Sequence, residues 1–506
     1  MTDADDSIVD LPNRRRYLQV VGALAAPTFG TTSAAAASSK RVPAPYSKRS
    51  ARLGPLPNDV FVTHVSELPT VENRIASYNR THDVEYVVSP QLRRILDERS
   101  SGTVDLTVNT RGERTSVRTR GQYERAIHGW RPTAEEVTAL SSFGEILYVP
   151  EVSSTKVGLS NVEVAAIPTI SALEFVLDVG HDPELRPRDP ANTGVSVETD
   201  SRPTAADLRS SRHMDFDSAV YDPTALPQIG IIGGGYTSET DWREPWADTI
   251  GIDTEKAKDF IGDDWTTGTT HGTNVTDAVA YLLKDENPRS NLFVPLQVYE
   301  PDYGLVKGSV MRSAIEYALL NDIAVVNISV ETAEHERRCP STVCEELSAY
   351  TSAGYLAVVA AGNDSIEKKV CHPATSHFSV TVGGYSGRCS GGYRRNDRSN
   401  YGQIQYYDAE SETVYCPWCY QSAGADEFQP NVYACYTFDT DAGTSIGGTS
   451  FSAPIVAAAG AIRHSVCGPD SYADKLADFN NMNERRICEP EASRQGAVLH
   501  VPDLTQ

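Results

Sequence analysis

The sequence predicts an α/β protein built on a doubly wound, mostly parallel sheet, with a smaller α+β region before it. Three observations carry that expectation. Short continuous apolar runs recur from residue 229 to residue 382, and amphipathic or wholly apolar helical stretches separate them. Residues of catalytic type follow the ends of those runs. Strands that are apolar on both faces need cover on both sides, which only helices joining parallel neighbours provide economically.

The elements follow in chain order. Val104–Val108 alternates as a strand, and Thr133 before Ala134-Glu135-Glu136 caps a short helix with an acidic first turn. Ile146–Val149 reads as a strand. Val162–Val164, Ile170–Leu173 and Phe175–Val179 read as strand, helix, strand. This α+β set contains no convincing nucleophile or metal cluster. Further on, Ile229–Ile232, Phe293–Leu296, Ala324–Ile328, Leu356–Val359 and Val380–Val382 are the core strands. Pro295 cannot donate to a ladder and pushes its strand towards a sheet margin. Met311, Ala314, Ile315, Ala318 and Leu319 share one helical face. Sites on such sheets lie beyond the carboxyl ends of the strands.

The domain organisation expected is 1–37 signal peptide, 38–60 linker, 61–185 α+β region, 186–204 linker and 205–506 main domain. Arg14-Arg15-Arg16 precedes a weak apolar stretch, Val20–Phe29, and then Ala34–Ala37. That order is similar to a twin-arginine export signal, which predicts a secreted or extracytoplasmic protein. No segment approaches the roughly 20 apolar residues of a membrane span. The net charge of −23 argues against nucleic acid, because phosphates would be repelled. Its acidic, lysine-poor surface suits a salt-rich, halophilic setting.

All nine cysteines lie after residue 338, from Cys339 to Cys488, which in an exported protein favours disulfides confined to the main domain. Cys416 and Cys419 form half a zinc site with no second pair to complete it, so no metal site is assigned. Gly230–Gly235 lacks the third glycine of a dinucleotide fingerprint.

The chemistry lies in three motifs. His271-Gly272-Thr273 opens a helix whose apolar face holds Val275, Ala278, Val279 and Leu282, so the histidine sits at the mouth and off that stripe. Asn363 follows the strand Leu356–Val359. Gly448-Thr449-Ser450-Phe451-Ser452-Ala453-Pro454 opens a helix that is apolar almost all round and therefore buried. Such a helix start carries unpaired N–H groups and partial positive charge, suited to a developing oxyanion. A serine, an imidazole and a carboxamide are the parts for acyl transfer.

Together these motifs closely resemble the subtilisin-like serine peptidases, the subtilases, over roughly residues 225–465. The resemblance implies that Ser450 attacks a peptide carbonyl and His271 takes and returns the proton. It also implies that Asn363 and the Ser450 amide hold the oxyanion. Asn327-Ile328-Ser329 is similar to the strand before the family's substrate-binding segment, so Ser329, Val330 and Glu331 are expected to line that segment. Glu331 adds charge there and suggests a preference for basic side chains. Residues 61–185 look like an inhibitory propeptide. Calcium is implied by the resemblance alone, and no cofactor is expected. Protein or peptide substrates are the expected partners.

One position departs from the family. Aligned on Ile229–Ile232, the family's aspartate falls on Gly233. That acid holds the imidazole tautomer and steadies the imidazolium. In subtilisin its loss alone costs about 3 × 10⁴ in turnover, roughly 6 kcal/mol. Three explanations stand open. A carboxylate from Asp263, Asp264, Asp241 or Glu239 replaces it, the first two favoured because they enter the His271 helix. Alternatively, serine and histidine work without an acid, or the protein binds peptides with little or no turnover.

Overall fold

The structure, a computed structural model, describes residues 101–121, 125–182, 184–186, 203–210, 214–236, 251–262, 264–266, 271–283, 291–299, 306–332, 341–364, 370–389, 392–405, 407–408, 413–414, 426–439, 445–468 and 497–504, together with Leu92, Glu98 and Phe479. The expected signal and first linker lie outside them, as do nearly all of the second linker and residues Cys339, Cys416, Cys419 and Cys488. The described parts fall into two compact units. The first holds the described residues up to 117, those in 127–182 and those in 406–425, and the second holds those in 118–126, 183–405 and 426–506.

The first unit is α+β. Strand β1 (Thr103–Thr110) is followed, after a separate two-stranded sheet of Glu113–Arg118 and Ala126–Arg131, by helix α1 (Ala134–Leu140), β2 (Glu145–Tyr148), β3 (Lys156–Glu163), α2 (Ile167–Ser171) and β4 (Val176–His181). Its sheet runs β2-β3-β1-β4, antiparallel throughout. Inward residues of the strands, Leu106, Val108, Val157, Leu159 and Val179, meet Leu140, Ile167 and Ile170 of the helices in one buried cluster. Thr133 caps α1 as its sequence requires. Glu136 N–H donates to Thr133 Oγ1 at 3.2 Å, and Thr133 N–H donates back to Glu136 Oε2 at 2.8 Å.

In the second unit a short strand, β5 (Glu184–Arg186), precedes β6 (Ile229–Gly234), β7 (Lys258–Asp259) and α3 (His271–Leu283). Next come β8 (Phe293–Tyr299), β9 (Val306–Lys307), α4 (Gly308–Leu320), β10 (Val325–Ile328) and β11 (Glu331–Thr332). The chain continues through α5 (Ser341–Ser352), β12 (Leu356–Ala360), β13 (Val380–Cys389), β14 (Val432–Cys435), α6 (Thr449–Cys467) and β15 (Ala497–Val498). The main sheet runs β15-β14-β13-β12-β10-β6-β8-β7, with every one of these pairs parallel. Gly392–Arg395 folds back antiparallel onto β13. Every residue of β6, β10 and β12 is buried, as their apolar spelling demands.

Two features of this order place the site. From β6 the chain moves to β8 on one side, then crosses to β10 on the other. The reversal opens a crevice at the carboxyl ends of β6 and β10. Helix α6 packs against β10, β12, β13 and β14 and against α3. It is buried from Thr449 to His464, so its start is held at that crevice by core packing. Gly460 allows this approach, since a Cβ there would lie 2.4 Å from Leu356 Cδ2.

Candidate active site

The start of α6 is shaped by two residues that break helical rules. Gly448, the N-cap, has φ 141°, a region that side chains disfavour. Pro454 has no N–H, so the Ser450 carbonyl loses the partner it would find four residues on. Ser329, just past β10, fills that gap: its Oγ donates to Ser450 O at 3.1 Å and accepts from Asn327 Nδ2 at 2.8 Å. Ser450 is buried, with 5% of its surface exposed.

Asn363 is fixed by the residue next to Ser450. Thr449 N–H donates to Asn363 Oδ1 at 2.7 Å, and Thr449 Oγ1 donates to the same oxygen at 3.1 Å. Thr449 Oγ1 in turn accepts from Gly362 N–H at 3.1 Å. An N–H can only donate, so the end of the carboxamide facing Thr449 is its oxygen. The other end is the NH2 group with two donors. The whole amide lies along Gly448, where a Cβ would sit 3.5 Å from Asn363 Nδ2.

His271 is the first residue of α3, and the next two N–H groups, of Gly272 and Thr273, donate to Gly235 O at 3.0 and 3.3 Å. These bonds seat α3 on the end of β6. Gly272 is needed for that contact, because a Cβ would fall 2.7 Å from the Tyr236 ring and 2.9 Å from Gly234 O. Tyr236 is itself buried, with its hydroxyl donating to Ile231 O. Its phenol is pushed far above its ordinary range by desolvation. The His271 ring lies 5.8 Å from the ring of Phe451, the residue after Ser450. His271, Asn363 and Ser450, distant in sequence, are thus gathered at one end of one sheet. Ser329 and Val330, both buried, lie beside them.

Gly233 lies within β6, which runs past Ile232, and stands opposite Gln297 in β8. No heavy atom lies within 4 Å of where its Cβ would be. Gln297 is fully buried, and its Nε2 approaches Asp259 Oδ2 at 3.4 Å. Asp264 is the one candidate replacement acid among the described residues. It is exposed, and its Oδ1 accepts from Thr266 N–H at 2.9 Å and from Thr266 Oγ1 at 2.6 Å. Those bonds hold its carboxyl below the usual carboxylate range. Asp263, Asp241 and Glu239 lie outside the described residues.

Among the described cysteines, Cys344 is disulfide-bonded, whereas Cys371, Cys435 and Cys467 are in the thiol form. Cys371 and Cys435 are buried in the sheet region, and Cys435 is pushed up to about 12 by desolvation. Among the described residues no group of three His, Cys, Asp or Glu side chains could hold a metal ion. No described helix is long and apolar enough to cross a membrane.

Sequence reasoning missed Thr449 as the residue that locks Asn363, and Ser329 as the partner of the Ser450 carbonyl. Pro454 was the available signal for the second, since a proline inside a helix always frees a carbonyl.

The folded chain is similar to two crystal structures of the epidermin leader peptide processing serine protease from Staphylococcus aureus, one of them a mutant. The mutant matches with a TM-score of 0.53 and the other with 0.52, each at 13% sequence identity. Each match covers 80% of this chain, and 99% and 98% of the respective neighbour. At that identity the likeness is one of fold. No curated protein matches the sequence. The profile of the subtilase family, Peptidase S8, matches residues 201–468, over half of the chain and all three motifs. The chain belongs to the subtilase family.

Proposed function

We propose that the protein is a serine peptidase that cleaves peptide bonds through an acyl-enzyme at Ser450. Family membership supports a protease function. The observation that carries the finer reading is the Asn363 carboxamide, bonded through its oxygen to Thr449 and so aligned with the N-terminus of α6. A carboxamide held this way offers its NH2 beside the Ser450 N–H, which is a donor pair for a tetrahedral oxyanion.

In this reading His271 accepts the Ser450 proton as the hydroxyl adds to the peptide carbonyl. It then gives that proton to the departing amine. Water deacylates the ester by the same route. Gly233 supplies no carboxylate, so serine and histidine act with the oxyanion donors and without an acid on β6. Residual machinery of this kind retains about 10³–10⁴ over water. The protein is proposed to work outside the cytoplasm on protein or peptide substrates, following its arginine-rich N-terminus and its family. Glu331 in the peptide-binding segment favours basic side chains.

The rival reading is a peptide-binding subtilase with no turnover, favoured by Gly233 alone. Treatment with a fluorophosphonate separates the two. The expected result is covalent labelling of the native chain, abolished in Ser450→Ala, with slow hydrolysis of arginine-containing peptides. Absence of both labelling and hydrolysis across a range of salt overturns the peptidase reading.

A further inference from the structure

The turn that presents Asn363 is gripped on both sides of that residue by a second asparagine. Asn400 N–H donates to Gly362 O at 3.0 Å, and Asn400 Oδ1 accepts from Asp364 N–H at 2.9 Å. An N–H can only donate, so the end of Asn400 facing Asp364 is its oxygen. The NH2 end donates to Cys371 Sγ at 3.3 Å. Asn400 and Cys371 are both fully buried. The neighbouring backbone groups are paired as well. Ala361 N–H donates to Val382 O at 2.9 Å, Cys371 N–H to Ala361 O at 3.0 Å, and Gly362 N–H to Thr449 Oγ1 at 3.1 Å.

Asn400 is itself anchored to the sheet. Ser399 Oγ accepts from Gly384 N–H at 3.0 Å, and Asn396 N–H donates to Gly384 O at 2.8 Å, which ties this segment to β13. Arg395 Nη1 donates to the carbonyls of Asn396 and Ser399, both at 2.9 Å, and its guanidinium lies over the Tyr401 ring at 4.0 Å. The grip on the turn is therefore backed by a core strand.

Two fixed points decide where the Asn363 NH2 lies. Thr449 holds the oxygen of the carboxamide, and Asn400 holds the main chain immediately before and after Asn363. Only the Cα–Cβ and Cβ–Cγ bonds turn between those points. Held at both ends, the amide has one orientation. Released at the main chain, it pivots about Thr449 and its NH2 moves. We propose that Asn400 is the positioning residue for the oxyanion donor, setting the rate of acyl transfer without touching the peptide. This rests on Ser450 being the nucleophile and on Asn363 donating to its oxyanion. The effect has an upper bound. Removing one oxyanion donor costs about 10²–10³ in turnover, and a misplacement of about 1 Å costs about 10². Loss of the Asn400 side chain is thus expected to cost less than loss of Asn363.

The test follows the full chain through its rate of fluorophosphonate labelling and through kcat and KM for an arginine-containing peptide. Asn400→Leu is close in shape and has neither donor nor acceptor on its side chain. It is expected to slow labelling and kcat together by about 10- to 100-fold, with KM held within about twofold. In the Asn363→Ala background, where no amide remains to be aimed, the same substitution is expected to change labelling by no more than about twofold. A loss of equal size in both backgrounds marks a general loosening of the fold and overturns the positioning role. Asn400→Ser, whose hydroxyl is one bond too short to replace Oδ1, carries the same expectations if Asn400→Leu does not fold. A native chain that is labelled, with the Asn400 variants labelled equally fast, overturns Asn400 alone. A native chain neither labelled nor active overturns the nucleophile, and the role of Asn400 with it.

Discussion

At the scale of single residues, the proposed reading turns on Gly233. Its Cβ position has no neighbour within 4 Å, so a side chain can start there without a clash at Cβ. On the proposed alignment of Gly233 with the family's acid, Gly233→Asp is expected to raise peptide hydrolysis by about 10² or more, within the roughly 3 × 10⁴ that the acid is worth in subtilisin. An unchanged rate means that a different carboxylate already holds His271. A second residue sets how the fold responds to acid. His372 is fully buried against Thr375 Oγ1 at 3.2 Å, and burial pushes its imidazole down to about 3. Unfolded, it takes a proton below about 6.5. Its folded pKa is depressed, so the unfolded chain binds more protons as pH falls from about 6.5 to 3. Stability from this group is complete above that window and drains through it, by up to about tenfold in the folding equilibrium per pH unit. Denaturant unfolding at pH 7 and pH 5 checks this. His372→Gln is expected to lose less stability between the two than the native chain, and equal losses count against a neutral buried ring.

At the scale of elements, what the sequence makes readable is what depends on neighbours along the chain. The core strands are continuous apolar runs, and α3, α4 and α6 show their faces in their spacing, so the parallel sheet was expected and is found. Pro295 was expected to put its strand at a margin. Its strand β8 lies one place in from the edge, because the edge strand β7 pairs only with Leu296 and Gln297 and asks no bond of the proline. The two- and three-residue strands β5, β9 and β11 carry no periodicity and exist only through one another, so nothing local announces them. The site divides the same way. Ser450, His271 and Asn363 stand out by local spelling, but the Thr449–Asn363 and Ser329–Ser450 bonds span 86 and 121 residues. Helix α4 conceals one more long-range pair: Arg312, next to the apolar Met311, is fully buried and bonds Glu346 of α5 through Nε at 3.2 Å and Nη2 at 3.1 Å. Removing one partner strands the other charge in the core. Arg312→Met is therefore expected to cost about 3–5 kcal/mol. Arg312→Met with Glu346→Leu should recover most of that loss in denaturant unfolding. A double variant no more stable than the single one shows that the ion pair itself is needed.

The whole molecule carries 68 acidic against 45 basic side chains, and this surplus opposes compactness. Folding brings the negative groups closer together, so repulsion penalises the native state more than the unfolded one. Screening removes the penalty in proportion to how far the charges reach. The Debye length falls from about 10 Å at 0.1 M salt to about 3 Å at 1 M. At the higher salt only near neighbours still interact, and those include native pairs such as Arg131 with Glu113 at 2.9 Å and Arg209 with Asp217 at 2.8 Å. Exposed pairs of this kind are worth at most about 1 kcal/mol each, so screening them costs little beside the repulsion relieved. The thermal midpoint of the full chain is therefore expected to rise by several degrees between those two concentrations of sodium chloride, with potassium chloride giving the same rise. Equal response to the two cations separates screening of the surface from binding at a particular site. A midpoint that stays flat or falls means that the acidic surplus is already neutralised within the fold and does not limit its stability.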